Sequence, residues 1–378
     1  MRRKREPSPS IAPVLEGKRL VVLVGEGGVG KTSTAAALAY GHACTGSSVA
    51  VLTVDPAPRL GDALGIRDIE ATPRAVALPG GPAAKGSLVA MRLDSKRTFD
   101  RMVERYAPSR EVAGALLRHP IYQAVSGSLG GSEHYMAFQR LSELVESADQ
   151  DLLVIDTPPA ANASELLGAP ARLTGLFDTG ALSILAEPAR LLARATGTLT
   201  RASLAFVIAV VERVAGDSLR TGVGDFIGLF GDILAGLEDR TTAINELLRS
   251  GQTAFVMVVR PRSNDIARAI AFEKALAAIG LHIDAIVVNR LTPPPGLDRV
   301  RSRAERLVEA PAQARGAVVV MEREMDSLRQ IESKALASLR DAMTGRNAPV
   351  VIAVTSLDVD VATLDDIATL AGELFAER

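Results

Sequence analysis

The stretch VGEGGVGKTS, Val24 to Ser33, decides the fold of this 378-residue chain. It follows the apolar run RLVVLV, which is typical of a buried strand, and it precedes TAAALAYGHA, which is typical of a helix. A glycine-rich loop between a strand and a helix fits the Walker A pattern, in which Gly-Lys-Thr ends the loop. The sequence therefore predicts a phosphate-binding loop.

Each part of this loop has a predicted role. Glycines let backbone N–H groups point inward, Lys31 reaches the β and γ phosphates, and Thr32 offers its hydroxyl to Mg²⁺. The predicted nucleotide-binding residues of the loop are Gly25, Gly27, Gly28, Val29, Gly30, Lys31, Thr32 and Ser33. Glu26 is the exception, because a carboxylate in this position should repel the polyphosphate that the loop holds.

Short apolar runs recur along the chain between long helix-like stretches. Near-continuous apolar runs are typical of strands that are buried on both faces, and helices between them provide the crossovers of a parallel sheet. The pattern predicts an α/β fold with a doubly wound, mostly parallel sheet. The predicted strands are 19–24, 48–54, 87–93, 151–156, 253–259, 284–289 and 349–354.

The remaining stretches suggest how the chain is organised. Residues 1–12 are basic and then rich in Pro and Ser, which predicts a disordered tail before a P-loop domain over 13–378. Two intervals, about 95–148 and 165–250, contain helical patterns without a convincing strand. We expect them to form a helical layer at the carboxyl edge of the sheet, where ligands of such folds bind.

Composition and charge exclude several classes of function. The formal net charge is −1, so no overall field favours nucleic acid as a partner, and no apolar run is long enough to span a bilayer. Cys44 is the single cysteine, which excludes a CxxC zinc clasp and a three-thiolate arsenite site within one chain. We expect a cytoplasmic protein without an arsenite site.

Two aspartates follow predicted strands and so face the same edge of the sheet as the loop. Asp156 ends LLVID at the Walker B position, where a carboxylate holds Mg²⁺ directly or through water; the alternative is an ordinary turn residue. Asp55, in TVDPAPRLGDALG, either orients and deprotonates the attacking water or caps the helix that begins nearby.

These motifs together resemble the arsenical-pump ATPase family, which includes the guided-entry ATPases of tail-anchored membrane proteins. The segments that carry the resemblance are GEGGVGKTS, VDPAPRLGDALG, IDTPPAANASELLGAPARL and IVVNRL. The resemblance implies a P-loop NTPase of the deviant Walker A class that hydrolyses ATP with Mg²⁺ as a homodimer or paired heterodimer. It also implies catalytic roles for Lys31 and Asp55, and a contact of Asn289 with adenine.

One departure from the family concerns position 26. The family normally has a lysine there that reaches the partner's nucleotide across the dimer interface, and this chain has Glu26. We expect Glu26 to point away from phosphate or to pair with a basic residue across the interface. Arg59 is the first candidate for the missing cation, and Lys18, Arg19 and Arg262 are the competing ones.

The client of such an ATPase is open at this stage. Apolar stripes over 204–216 and 225–237 belong either to the core or to a groove for a hydrophobic membrane-protein segment. Two other classes compete with a client-binding ATPase. One is a non-hydrolysing nucleotide-dependent scaffold or half of a heterodimer, marked by Glu26; the other is a MinD/ParA-like positioning ATPase, which the acidic C-terminal helix disfavours.

Overall fold

The computed structural model describes residues 9–157, 243–293 and 312–376, apart from positions 56, 67–68, 82–83, 120–121, 124–125, 127–132, 148, 244, 346 and 358–360. The strands in this part of the chain are β1 Leu20–Val24, β2 Ser48–Thr53, β3 Arg74–Ala75, β4 Ser87–Arg92, β5 Leu152–Asp156, β6 Thr253–Val259, β7 Ala285–Leu291 and β8 Val350–Thr355. The helices are α1 Ala12–Leu15, α2 Lys31–Cys44, α3 Arg59–Leu64, α4 Ser95–Tyr106, α5 Arg110–Arg118, α6 Glu133–Ser147, α7 Ser263–Ala278, α8 Ala312–Ala342 and α9 Leu364–Phe375.

The strands form a sheet in the order β3-β4-β2-β5-β1-β6-β7-β8. β1 pairs in parallel with β5 on one side and β6 on the other. The pairs β2–β5, β6–β7 and β7–β8 are also parallel, whereas β3 pairs with β4 antiparallel. The chain leaves β1 for β2 on one side and later enters β6 on the other, so the carboxyl end of β1 is the topological position at which such folds bind ligands.

The predicted α/β fold with its mostly parallel sheet is confirmed. All residues of β1, β5 and β6 are buried, as near-continuous apolar runs require of central strands. Each of the predicted strands is present within one or two residues of its expected ends. The two-residue edge strand β3 was not predicted, because Arg74–Ala75 is too short and too exposed to give an apolar pattern.

Helices α2 and α9 cover the sheet beside the loop. α2 buries a row of alanines together with Leu38 and Tyr40, and α9 buries Ile367, Leu370, Ala371 and Leu374. The Phe375 ring lies against Gly41, where an added Cβ would be 2.4 Å from the ring. α9 therefore packs on the sheet unit, as its apolar face predicts.

The predicted boundary of the N-terminal tail is wrong at its last residues. Ile11 is fully buried, and its N–H donates to the carbonyl of Leu374 at 2.9 Å. Ser10 donates to the carbonyl of Phe375 at 3.0 Å. Ile11 joins Val14 and Leu15 of α1 at helical spacing, and this apolar face stabilises residues that composition alone assigned to a tail. Residues 1–8 lie outside the described part of the chain.

The chain divides into two compact units. The first comprises Met1–Met91, Asp149–Ala163 and Gly251–Arg378, and the second comprises Arg92–Ala148 and Ser164–Ser250. In the second unit α4 packs against α5 and α6, with Phe99 stacked on Tyr122 at a centroid distance of 5.5 Å. The predicted helical layer stays a prediction, since most of 165–250 and both apolar stripes lie outside the described residues.

The long helix α8 has 31 residues, and its exposed apolar side chains include Val320, Leu328 and Ile331. Charged residues interrupt this surface throughout. Across the described ranges, no helix combines the length and the apolar character that are needed to cross a membrane.

Candidate functional site

The loop between β1 and α2 depends on glycine at its two ends. Gly25 has φ +145°, and a Cβ there would lie 2.4 Å from the carbonyl oxygen of Val258 in β6. Gly30 has φ +99°, and a Cβ there would lie 2.2 Å from Nδ2 of Asn289. Any side chain at these positions would strain the backbone, and it would collide with β6 backbone at Gly25 and with the Asn289 side chain at Gly30. The loop is therefore held close to β6 and β7.

Lys31 is folded back onto its own loop. Its Nζ donates to the carbonyls of Gly25 at 2.9 Å and Glu26 at 2.8 Å. Burial lowers the pKa of Lys31, whereas the charges of Asp156, Asp55 and Glu26 act in the opposite direction. Ser33 follows in the first turn of α2, and Val29 is buried.

Asp156 lies beneath the loop, among hydroxyl groups. Its Oδ2 accepts hydrogen bonds from Thr32 Oγ1 at 2.7 Å and Thr53 Oγ1 at 3.0 Å. Its Oδ1 is buried and has no hydrogen-bond partner. Burial raises the pKa of Asp156, and the two threonine bonds and the charge of Lys31 oppose that rise. A buried carboxylate oxygen without a partner is the type of group that a cation satisfies.

Asp55 lies at the mouth of the same edge. Its N–H donates to Thr53 Oγ1 at 3.2 Å, and its Oδ1 accepts from the N–H of Ala57 at 2.9 Å. Its Oδ2 pairs with Arg59 Nη1 at 3.2 Å. Within one chain the guanidinium of Arg59 thus neutralises Asp55 and not Glu26. The proposed contact of Arg59 with a partner subunit stays a prediction.

Glu26 pairs with helix α7 through its side chain. Its Oε1 lies 2.5 Å from Nε of Arg268. Arg268 also donates from Nη2 to Asp265 at 2.8 Å, and Arg260 donates from Nε to the other oxygen of Asp265 at 2.8 Å. The cation that balances Glu26 in this chain is therefore none of the four basic residues considered from the sequence.

Asn289 supports the loop from β7. Its Nδ2 donates to the carbonyl of Val29 at 2.9 Å, and its Oδ1 accepts from the N–H of Arg290, which has the unusual φ of +64° for a non-glycine residue. The side chain is thereby fixed against Gly30 at the strand end. Its contact with adenine stays a prediction.

The structure brings Lys31, Thr32, Asp55 and Asp156 to one edge of the sheet. It also places two residues there that the sequence did not single out, Thr53 and Arg268. Thr53 had a local signal, because it is a polar residue at the end of an apolar strand two positions before Asp55. Arg268 had none, since an exposed arginine on an amphipathic helix usually faces only solvent.

Together the doubly wound sheet and the Lys31 loop define an α/β protein of the P-loop NTPase class. The family described as Anion-transporting ATPase matches residues 18–215, which is more than half of the chain. The chain belongs to this family.

Curated relatives point the same way. The chain is 30% identical over 171 residues to the ATPase GET3 of Malassezia globosa, covering 44% of this chain and 47% of that protein. It is 29% identical over 283 residues to the uncharacterized protein SCO2128 of Streptomyces coelicolor, covering 73% of this chain and 63% of that protein. It is 26% identical over 288 residues to the ATPase GET3A of Arabidopsis thaliana, covering 75% of this chain and 71% of that protein. The matched segment thus spans less than two thirds of each of the first two relatives.

Proposed function

We propose that this chain binds ATP together with Mg²⁺ and hydrolyses it to ADP and phosphate. The observation that carries the proposal is the arrangement of Lys31, Thr32 and Asp156, which brings an ammonium, a hydroxyl and a buried carboxylate together at a glycine loop. Family membership and relatives named as ATPases support it. Among the residues of the loop, Lys31 is the one whose side chain supplies a cation for phosphate binding.

The residues present fit Mg²⁺. Thr32 would offer its hydroxyl as a ligand, and Asp156 would offer the Oδ1 atom that has no hydrogen-bond partner. Bound Mg²⁺ neutralises charge on the phosphates and so favours transfer of the terminal phosphoryl group. Thr53 keeps the other oxygen of Asp156 fixed, so the carboxylate is oriented before any cation arrives.

Lys31 and Asp55 would have separate roles, in phosphate binding and in activation of the attacking water. Lys31 would exchange its two carbonyl partners in the loop for phosphate oxygens, and the positive end of α2 would add to the attraction. Asp55 would orient the attacking water and accept its proton, because its side chain reaches the solvent-accessible mouth of the site. Arg59 and the N–H of Ala57 hold Asp55 in place meanwhile.

The proposed cycle includes a partner subunit and a client. We propose a homodimer or a heterodimer with a paralogue, whose arrangement changes with the bound nucleotide and controls a hydrophobic client segment. The relatives named ATPase GET3 and the long apolar helical stretches of the sequence support this part of the proposal. An arsenite cargo is not proposed, because Cys44 is the only cysteine in the chain.

Substitution of Asp55 by Asn tests the reaction. Asp55→Asn should retain the affinity for Mg-ATP within about threefold and lower turnover about 100-fold, because the amide cannot accept the proton of the attacking water. Equilibrium binding and phosphate release, measured on the same preparations, would check this. Equal turnover in Asp55→Asn and the parent chain would refute the assigned base, and binding without turnover in the parent chain would favour a non-hydrolysing scaffold.

A further inference from the structure

The ion pair between Glu26 and Arg268 joins the phosphate loop to helix α7. The 2.5 Å contact is made by Nε of Arg268, and the Nη2 atom of the same guanidinium binds Asp265 at 2.8 Å. Asp265 is only 6% exposed, and its second oxygen accepts from Arg260. Because Asp265 is held from two sides, it fixes the position of Arg268 on the surface of the helix. Glu26 is thus paired with a guanidinium that is already oriented.

The backbone of Glu26 takes part in the site as well. Its carbonyl oxygen accepts a hydrogen bond from Lys31 Nζ at 2.8 Å. The preceding residue, Gly25, packs against Val258 of β6, the strand that leads directly into α7. The ion pair therefore anchors the one peptide that both carries the repulsive charge and helps to position Lys31.

The charge of Glu26 must be balanced if the loop is to accept a polyphosphate. A carboxylate near three negatively charged phosphoryl groups opposes their binding, and the repulsion grows as solvent leaves the site. Arg268, the partner of Glu26, also lines a surface cavity of about 330 Å³ together with Arg260, Arg262, Ser263, Asn264 and Asp265. Three of these residues are basic and one is acidic, so positive charge exceeds negative charge along the lining.

We propose that Arg268 is a positioning residue for the phosphate loop, which neutralises Glu26 and holds its side chain away from the polyphosphate. Arg268 acts through Glu26 in this proposal and does not itself contact the phosphates. The proposal rests on nucleotide binding by the loop, as set out under Proposed function.

A double-mutant cycle on the full chain tests this inference. The variants are Arg268→Gln, Glu26→Gln and the two combined, with Arg262→Gln as the control that removes a positive charge from the same cavity lining. The measurement is equilibrium binding of ATP and, separately, of inorganic tripolyphosphate, by calorimetry at low and at high salt. Thermal melting of each variant without ligand reports any structural effect.

Arg268→Gln should weaken the binding of both probes about tenfold at low salt, because it leaves Glu26 without a counter-charge. Glu26→Gln and the double variant should both bind within about threefold of the parent chain, since neither carries the repulsive carboxylate. High salt should shrink the loss in Arg268→Gln. Arg262→Gln should also stay within about threefold of the parent chain.

Several results would overturn the inference. A double variant as weak as Arg268→Gln would mean that Arg268 acts on the ligand or the fold without Glu26. An equal loss in Arg262→Gln would point to the general field of the cavity, and unchanged binding in Arg268→Gln would leave the pair without a role. Binding of tripolyphosphate but not ATP by the parent chain would refute the proposed function alone, and the cycle with tripolyphosphate would still decide on Arg268. Binding of neither would refute both.

Discussion

Two carboxylates flank the same lysine, and they differ in burial and in the charge of their partners. Asp156, beneath the loop, is 2% exposed and is bound by the neutral hydroxyls of Thr32 and Thr53. Glu26, at the mouth, is 37% exposed and is bound by the guanidinium of Arg268. Lys31 lies between them and donates its hydrogen bonds to loop carbonyls.

The difference between the two carboxylates indicates which ligand charge suits each position. Hydroxyl donors orient Asp156 without cancelling its charge, and one of its oxygens has no hydrogen-bond partner, so that oxygen is available to the Mg²⁺ that we propose. Arg268 cancels the charge of Glu26, so the mouth of the site can admit an anion. An exposed ion pair contributes little to stability, which suggests that the pair at the mouth serves binding more than folding.

Removal of the lysine between the two carboxylates should have the largest effect. Lys31→Ala should weaken ATP binding at least about 100-fold, because the phosphates lose their charge-assisted hydrogen bonds. Lys18→Ala is the matched control, since Lys18 pairs with Asp284 at the opposite edge of the sheet. Titration with a fluorescent ATP analogue would check both, and equal losses in the two variants would contradict a specific role for Lys31.

Substitution of the buried carboxylate should separate stability from binding. Asp156→Asn should abolish the enhancement of ATP binding by Mg²⁺ and raise the free energy of unfolding by about 1 kcal/mol, since an amide costs less to bury than an ionised carboxylate. Asp265→Asn is the matched control. It is equally buried but bound by Arg260 and Arg268, and its loss should lower stability by about 2 kcal/mol. Urea unfolding without Mg²⁺ measures both changes, and a destabilised Asp156→Asn would contradict the comparison.

The same substitution gives a pH dependence with a defined sign. Burial raises the pKa of Asp156 in the folded chain above the unfolded value, so the native state holds this proton more tightly. The favourable contribution of Asp156 is fully present below about pH 4 and is lost as pH rises through the raised pKa of the folded state. The stability advantage of Asp156→Asn should therefore grow as pH rises from about 4 toward 7. An advantage that shrinks over this range would contradict the assigned shift.

Loss of the exposed ion pair between Arg59 and Asp55 should have the smallest effect. Arg59→Gln should change the free energy of unfolding by about 0.5 kcal/mol or less, because Arg59 is 71% exposed and its pair with Asp55 is screened by solvent. Nucleotide affinity should change less than in Arg268→Gln. Arg59→Gln could instead lose much of its ATP turnover at high protein concentration while its nucleotide affinity at low protein concentration is unchanged. That result would support the contact of Arg59 with a partner subunit.

Much of the sheet and of the site could be predicted because their signals are local. The strands before Asp55 and Asp156 have near-continuous apolar runs, and parallel pairing then brings their carboxyl ends to the same edge as the loop. Thr32 and Lys31 needed only the spacing within the loop motif. The burial of Ile11 could not be predicted from local sequence, because it depends on α9 at the far end of the chain.

The partner of Glu26 was beyond any local signal. Arg268 is separated from it by more than 200 residues and lies outside the nucleotide motifs of the sequence. The contact exists because β1 and β6 are neighbours, which places the start of α7 beside the loop. A pair of exposed, oppositely charged side chains gives no hydrophobic pattern, so the sequence does not predict such a contact.

By itself, the sequence determined that this chain forms a parallel α/β sheet with a phosphate loop, because apolar periodicity and glycine spacing are properties of short segments. Only the tertiary structure decided what surrounds the two carboxylates: Asp156 is held by hydroxyls that leave one oxygen without a partner, and Glu26 is paired with an arginine from a distant helix. Electrostatic energy depends on the distance between charges and on their exposure to solvent, and neither quantity exists until the strands are ordered in the sheet.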